Sequence, residues 1–100
     1  MIEKIVKIEK SKAKNKKYTA IVRNKKTKKE RRVNFGDSRY ENFKDSTGLG
    51  LYSSKNHGDK KRREAYFNRH SGTKSKTEAV KKEKASGKIT PKLLSHMYLW

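Results

Sequence analysis

Apolar and polar residues alternate with a period of two through three stretches of the first 35 positions. Val6 and Ile8 alternate with Lys7 and Glu9. Tyr18, Ala20 and Val22 alternate with Thr19, Ile21 and Arg23, and Arg31, Val33 and Phe35 alternate with Arg32 and Asn34. This is the period of a strand with one buried face. The polar stretches SKAKNKK and NKKTKK fall between them as loops, the second short enough for a hairpin. The pattern predicts a three-stranded antiparallel meander, apolar on one face and studded with Lys on the other. Long basic side chains there discourage pairing between molecules. Phe35-Gly36-Asp37 closes the third strand with a turn.

The segment 36–58 has no clean period. Gly48, Gly50 and Gly58 permit tight turns, and Tyr40, Phe43 and Tyr52 call for burial, so an irregular but packed centre is expected. Helical signals begin at residue 59. Asp59 is placed to cap a helix that runs to His70 and stops at Gly72. Residues 77–85 suit a short helix capped by Thr77. The sharpest local signal is ITPKLLSHMYLW: Thr90 as N-cap, Pro91 at the first helical position, and Ile89 with Leu94 as a hydrophobic staple. The expected fold is therefore α+β: a basic strand region over 1–35, an irregular centre over 36–58 and two to three short helices over 59–100, in a single small domain.

Composition changes the picture in two ways. Of 100 residues, 29 are Lys or Arg and 10 are Asp or Glu, a net charge of +19, while only 30% are hydrophobic. A core this small is marginal, and like-charge repulsion weakens it further. A fixed shape is accordingly expected to depend on a larger assembly that supplies negative charge. The charge is also uneven. Residues 1–34 carry 14 basic against 3 acidic side chains, whereas 35–58 are neutral, with 3 of each.

Several function classes fall away. No stretch approaches the roughly 18 apolar residues of a membrane span. The absence of Cys excludes a disulfide framework, a thiolate zinc site and a Cys nucleophile, and weakly favours a reducing compartment. MIEKIVKIEK lacks the apolar core and cleavage site of a secretory signal. His57, Asp59 and His70 are the one thin set of metal ligands, nuclease-like in type, but Asp59 is better explained as a helix cap. No nucleophile elbow and no phosphate-loop glycine spacing is present. No enzyme, cofactor, metal or small-molecule substrate is expected. The charge suits polyphosphate, with Lys-rich contact favouring loose phosphate binding over base reading. Tyr18, Phe35 and Tyr40 could stack on bases but are expected in the core.

The segments VNFGDSRYENFKD, HGDKKRREAYFNRH and SGKITPKLLSHMYLW together resemble a family of short basic proteins of large nucleocytoplasmic double-stranded-DNA viruses. The pattern comprises an FG turn, a following aromatic, an H-x-D segment, a basic stretch ending Y-x-x-R-H and a closing L-W. Here these are Phe35, Gly36, Tyr40, Phe43, His57, Asp59, Arg62, Arg63, Tyr66, Arg69, His70, Gly87, Leu99 and Trp100. The resemblance spans about residues 16–100 and leaves the first 15 unexplained. It implies association with a virion.

The combined expectation is a non-enzymatic virion structural protein, a minor capsid or cement component on the inner side of a large DNA virus shell, made in the host cytoplasm. Phe67, Leu94, Tyr98 and Trp100 would anchor it between larger capsid proteins, and Arg62, Arg63 and Arg69 would pair with carboxylates. The alternative is a genome-associated protein that condenses viral DNA non-specifically.

Overall fold

A computed structural model describes residues 2–100. The first three elements are β1 (Glu3–Lys10), β2 (Lys16–Asn24) and β3 (Glu30–Asp37), one antiparallel sheet in the order β1-β2-β3. A single 3₁₀ turn (Ser53–Lys55) interrupts the centre. Three helices follow among the described residues: α1 (Lys60–Ser71), α2 (Lys76–Lys84) and α3 (Pro91–Tyr98). The chain is α+β, with the sheet first and the helices last.

The sheet buries one face. Tyr18, Ala20 and Val22 from β2 and Val33 and Phe35 from β3 pack with Ile89, Leu93, Leu94 and Leu99. The alternation in β2 and β3 thus reads directly as inside and outside. In β1 it does not. The register shifts between Ile5 and Lys7, where Ile5 faces Val22 and Lys7 faces Ile21. The bulge at Val6 leaves that side chain 44% exposed, while Ile5 and Ile8 pack on the core. The expected inward position of Val6 is corrected because one extra residue reverses the strand's phase.

The β2–β3 turn is built by Asn24. Its side-chain oxygen accepts from the backbone amides of Lys26 and Thr27, and its carbonyl accepts from the amide of Lys28. Lys28 takes the left-handed conformation that such a turn requires.

Both outer helix signals are realised. Asp59 accepts from the amides of Lys61 and Arg62, and Gly72 closes α1 in the left-handed conformation. Thr90 accepts from the amide of Leu93 with Pro91 just inside α3, and the staple partners Ile89 and Leu94 are both buried. The middle helix starts earlier than expected. Its cap is Ser75, which accepts from the amide of Glu78, so Thr77 lies within the helix. Thr73 completes this start, its hydroxyl accepting from the amide of Ser75 and donating to the carboxylate of Glu78.

A second, smaller cluster holds α1 to α2 through Tyr66, Phe67 and Ala79. Trp100 packs against both clusters and joins them.

Candidate functional site: a cationic and aromatic cleft

The irregular centre owes its order to polar groups. Asn42 is fully buried; its carbonyl oxygen accepts from Lys17 Nζ at 2.8 Å and its amide donates to the side chain of Asn56. Asn56 in turn accepts from the backbone of Asp45 at 2.8 Å. The Asp45 carboxylate receives the Tyr18 hydroxyl, the Thr47 hydroxyl and the amide of Tyr52. Burial pushes the Lys17 ammonium down to about 8, with Lys55 nearby adding to the effect. The centre is also tied to residues 98–99. The amide of Phe43 donates to the carbonyl of Leu99 at 2.9 Å, and that of Ser46 to Tyr98 at 2.8 Å.

These ties set the end of the β2–β3 hairpin opposite α1 and α3, and a cleft of about 780 Å³ lies between them. Gly36 lets the chain pass close to its neighbours: a Cβ there would stand 2.7 Å from Leu99 Cδ1 and 3.2 Å from Lys17, and φ is +75°. Phe35, Tyr66 and Trp100 line the apolar part. The rings of Tyr66 and Trp100 stack with centroids 4.2 Å apart and planes 5° from parallel. Lys16, Arg39, Arg62, Arg69 and Lys92 contribute positive charge, against Asp37 and Glu41.

Both carboxylates are already engaged. Asp37 accepts from the Arg39 guanidinium, which holds its carboxyl down at about 2. Glu41 lies 3.5 Å from Arg62. Lys92 reaches Glu83 at 3.2 Å. Lys16 and Arg69 have no carboxylate within 4 Å among the described residues. Tyr40, expected in the packed centre, is instead 65% exposed beside Arg39, whose guanidinium carbon lies 5.7 Å from the ring centre. Tyr18 and Phe35 are buried, as expected.

Residues far apart in sequence therefore meet here. Phe35, Gly36, Tyr40, Arg62, Tyr66, Arg69, His70 and Trp100 all line the cleft. His57 and Asp59 do not. His57 lies between Phe43 and Trp100, with ring centres at 6.0 and 5.2 Å, and its Nδ1 accepts from the amide of Asp59. Burial lowers its pKa. Asp59 is occupied by its cap, and His70 lies against the ring of Tyr66 at 4.6 Å. The three do not converge on one point, and no group of three or more His, Asp or Glu able to hold a metal occurs among the described residues.

Two of the expected anchors are corrected. Phe67 and Leu94 have no exposed surface, because both fill the chain's own clusters. Tyr98 and Trp100 keep some surface, though both pack on the main core. Of the three arginines expected to be available for carboxylates, Arg62 lies 3.5 Å from Glu41 of the chain itself, and Arg63 sits over the Phe43 ring at 4.7 Å.

Residues 6–47 match the model of a family of unknown function, DUF5754. That stretch is β1 from Val6 onward, β2, β3 and the first part of the centre, including Gly36, Tyr40 and Asn42. No curated protein and no solved structure matches the chain. The family match thus bears on the hairpin wall of the cleft and carries no activity with it.

The cleft residues beyond the motif positions, notably Lys16, Arg39 and Lys92, had no sequence signal of their own. Asn42 had a faint one, an amide amid aromatics in a charge-neutral segment.

Proposed function

We propose that the chain is a non-enzymatic structural protein that holds polyanions. Its setting would be the inner side of a large DNA virus shell, as a minor capsid or cement component. The supporting observation is the state of the charges after folding. Six of the ten carboxylates are taken up in ion pairs within the chain: Glu3, Glu9, Glu30, Asp37, Glu41 and Glu83. Asp45 and Asp59 serve hydroxyls and a helix start. The surplus of +19 is left for something outside.

Six of the lysines that contribute to it project from turns. Lys12 and Lys14 lie in the β1–β2 turn, and Lys25, Lys26, Lys28 and Lys29 in and beside the β2–β3 turn, all exposed. Flexible ammonium groups of this kind suit phosphate as point charges. With Phe67 and Leu94 internal, attachment would rest on charge, assisted by the remaining surface of Tyr98 and Trp100. The viral setting is supported by the sequence resemblance described above.

The turn lysines also favour a second reading, a protein bound along the packaged genome. Titration of duplex DNA at rising salt separates the two. For genome binding, affinity should be sub-micromolar near physiological salt and fall about a thousand-fold between roughly 50 and 200 mM, as some six counterions are released. Weak duplex binding, together with recovery of the protein in the shell fraction of disrupted particles, favours the cement role. Recovery outside particles altogether would overturn both.

A further inference from the structure

We propose that the cleft is a binding site for single-stranded nucleic acid, with phosphates held by Lys16 and Arg69 and one base stacked on Tyr40. This deepens the polyanion reading and rests on it. Concavity is the first reason. A space of about 780 Å³ between a hairpin end and two helices admits a nucleotide or two but not a duplex, whose phosphates the convex turn lysines meet instead. Charge is the second. Asp37 is hydrogen-bonded to Arg39 and lies across the strand pair from Lys16, and Glu41 is 3.5 Å from Arg62. These two carboxylates stand against Lys16, Arg39, Arg62, Arg69 and Lys92, so the rim keeps an excess of positive charge.

The third reason is the aromatic surface. Tyr40 stands largely exposed on the rim with the Arg39 guanidinium over its ring, so that a base stacked on the opposite face would have positive charge close by. The Tyr66–Trp100 stack gives the floor a rigid apolar surface. An acidic protein segment would use the same cations, but it gains nothing from the exposed tyrosine ring comparable with what a base gains by stacking.

The test uses fluorescence anisotropy at fixed salt with three labelled probes: an oligothymidylate of about ten nucleotides, a duplex of equal phosphate count, and a polyglutamate peptide. Tyr40→Ala and Arg69→Gln alter exposed side chains, and circular dichroism checks that each variant is folded. Each should weaken oligothymidylate binding about five-fold or more while leaving the duplex within about two-fold. A variant with Lys25, Lys26, Lys28 and Lys29 changed to Gln should weaken both nucleic acids.

Equal loss on single strand and duplex, or no loss from Tyr40→Ala, overturns the cleft assignment while the polyanion reading stands. Polyglutamate binding as tight as the oligothymidylate, with the same sensitivity to Tyr40, makes the occupant an acidic protein segment instead. Failure of all three probes to bind removes the polyanion reading itself.

Discussion

At residue scale, two positions carry consequences out of proportion to their size. Gly36 has a positive φ and no room for a methyl group against Leu99. Gly36→Ala combines left-handed backbone strain with a clash at the core, and should cost about 2 kcal/mol or more. Urea denaturation should show a lower midpoint with an unchanged slope.

His96 is the second position. It is fully buried, with Nδ1 2.9 Å from the Tyr66 hydroxyl and Nε2 2.9 Å from the Ser71 hydroxyl. A neutral imidazole has one donor and one acceptor, so the two hydroxyls satisfy it fully. Burial pushes it down to about 4, with Lys92, His70 and Lys76 adding repulsion and Glu83 opposing. The unfolded chain therefore binds the proton first. Stability is intact above the ordinary histidine value and falls as the pH drops from about 6.5 toward 4, by about 2–3 kcal/mol from this group. His57 and His70 are lowered too and act in the same direction. Denaturation midpoints at pH 7 and pH 5 should differ clearly in the native chain and less in His96→Asn, which will start from a lower stability.

At the scale of elements, much was legible from the chain alone, and each failure has a physical reason. The alternation in β2 and β3, the Asp59 and Gly72 ends of α1, and the Thr90–Pro91 start of α3 are local signals that the structure realises. Val6 failed because a bulge is a two-strand property, invisible in one strand's own pattern. The start of α2 failed because two capping residues, Ser75 and Thr77, competed over two positions. The cleft was half legible. The motif residues that line it stood out, but their meeting depends on the Lys17–Asn42–Asn56–Asp45 network, which has no period and so leaves no pattern.

One inter-element tie was not visible at all. Glu3 in β1 receives Arg31 of β3 at 2.8 and 2.9 Å and the amide of Ile89 at 3.0 Å, while Arg31 also donates to the Ile89 carbonyl at 2.7 Å. Arg31 holds the Glu3 carboxyl down at about 2. This cluster binds both outer strands to the approach of α3. Glu3→Gln should cost about 1–2 kcal/mol, since a hydrogen bond to a charged group is weakened while the shape is kept. Thermal melts at neutral pH would measure it. The difference from the native chain should shrink as the pH falls from about 4.5 toward 2, where native Glu3 itself takes up a proton.

At the scale of the whole molecule, a net charge of +19 on a small core makes ionic strength a structural variable. Cations crowd the turns and the cleft rim, so screening should relieve more repulsion than it removes attraction, the surface ion pairs being weak individually. Raising salt from about 10 to 300 mM should raise the melting temperature, where a protein dominated by ion pairs would lose stability. A polyanion should do the same at far lower concentration. A melting temperature that falls with salt would mean that the internal pairs outweigh the repulsion.

The stack of Trp100 on Tyr66 has one last consequence. The chain has a single tryptophan, and it sits where the two apolar clusters and the cleft floor meet. Its ultraviolet emission is therefore an intrinsic gauge of that seam. Separation of the helical pair from the sheet, or arrival of a guest above the indole, would alter its colour or brightness without any added dye.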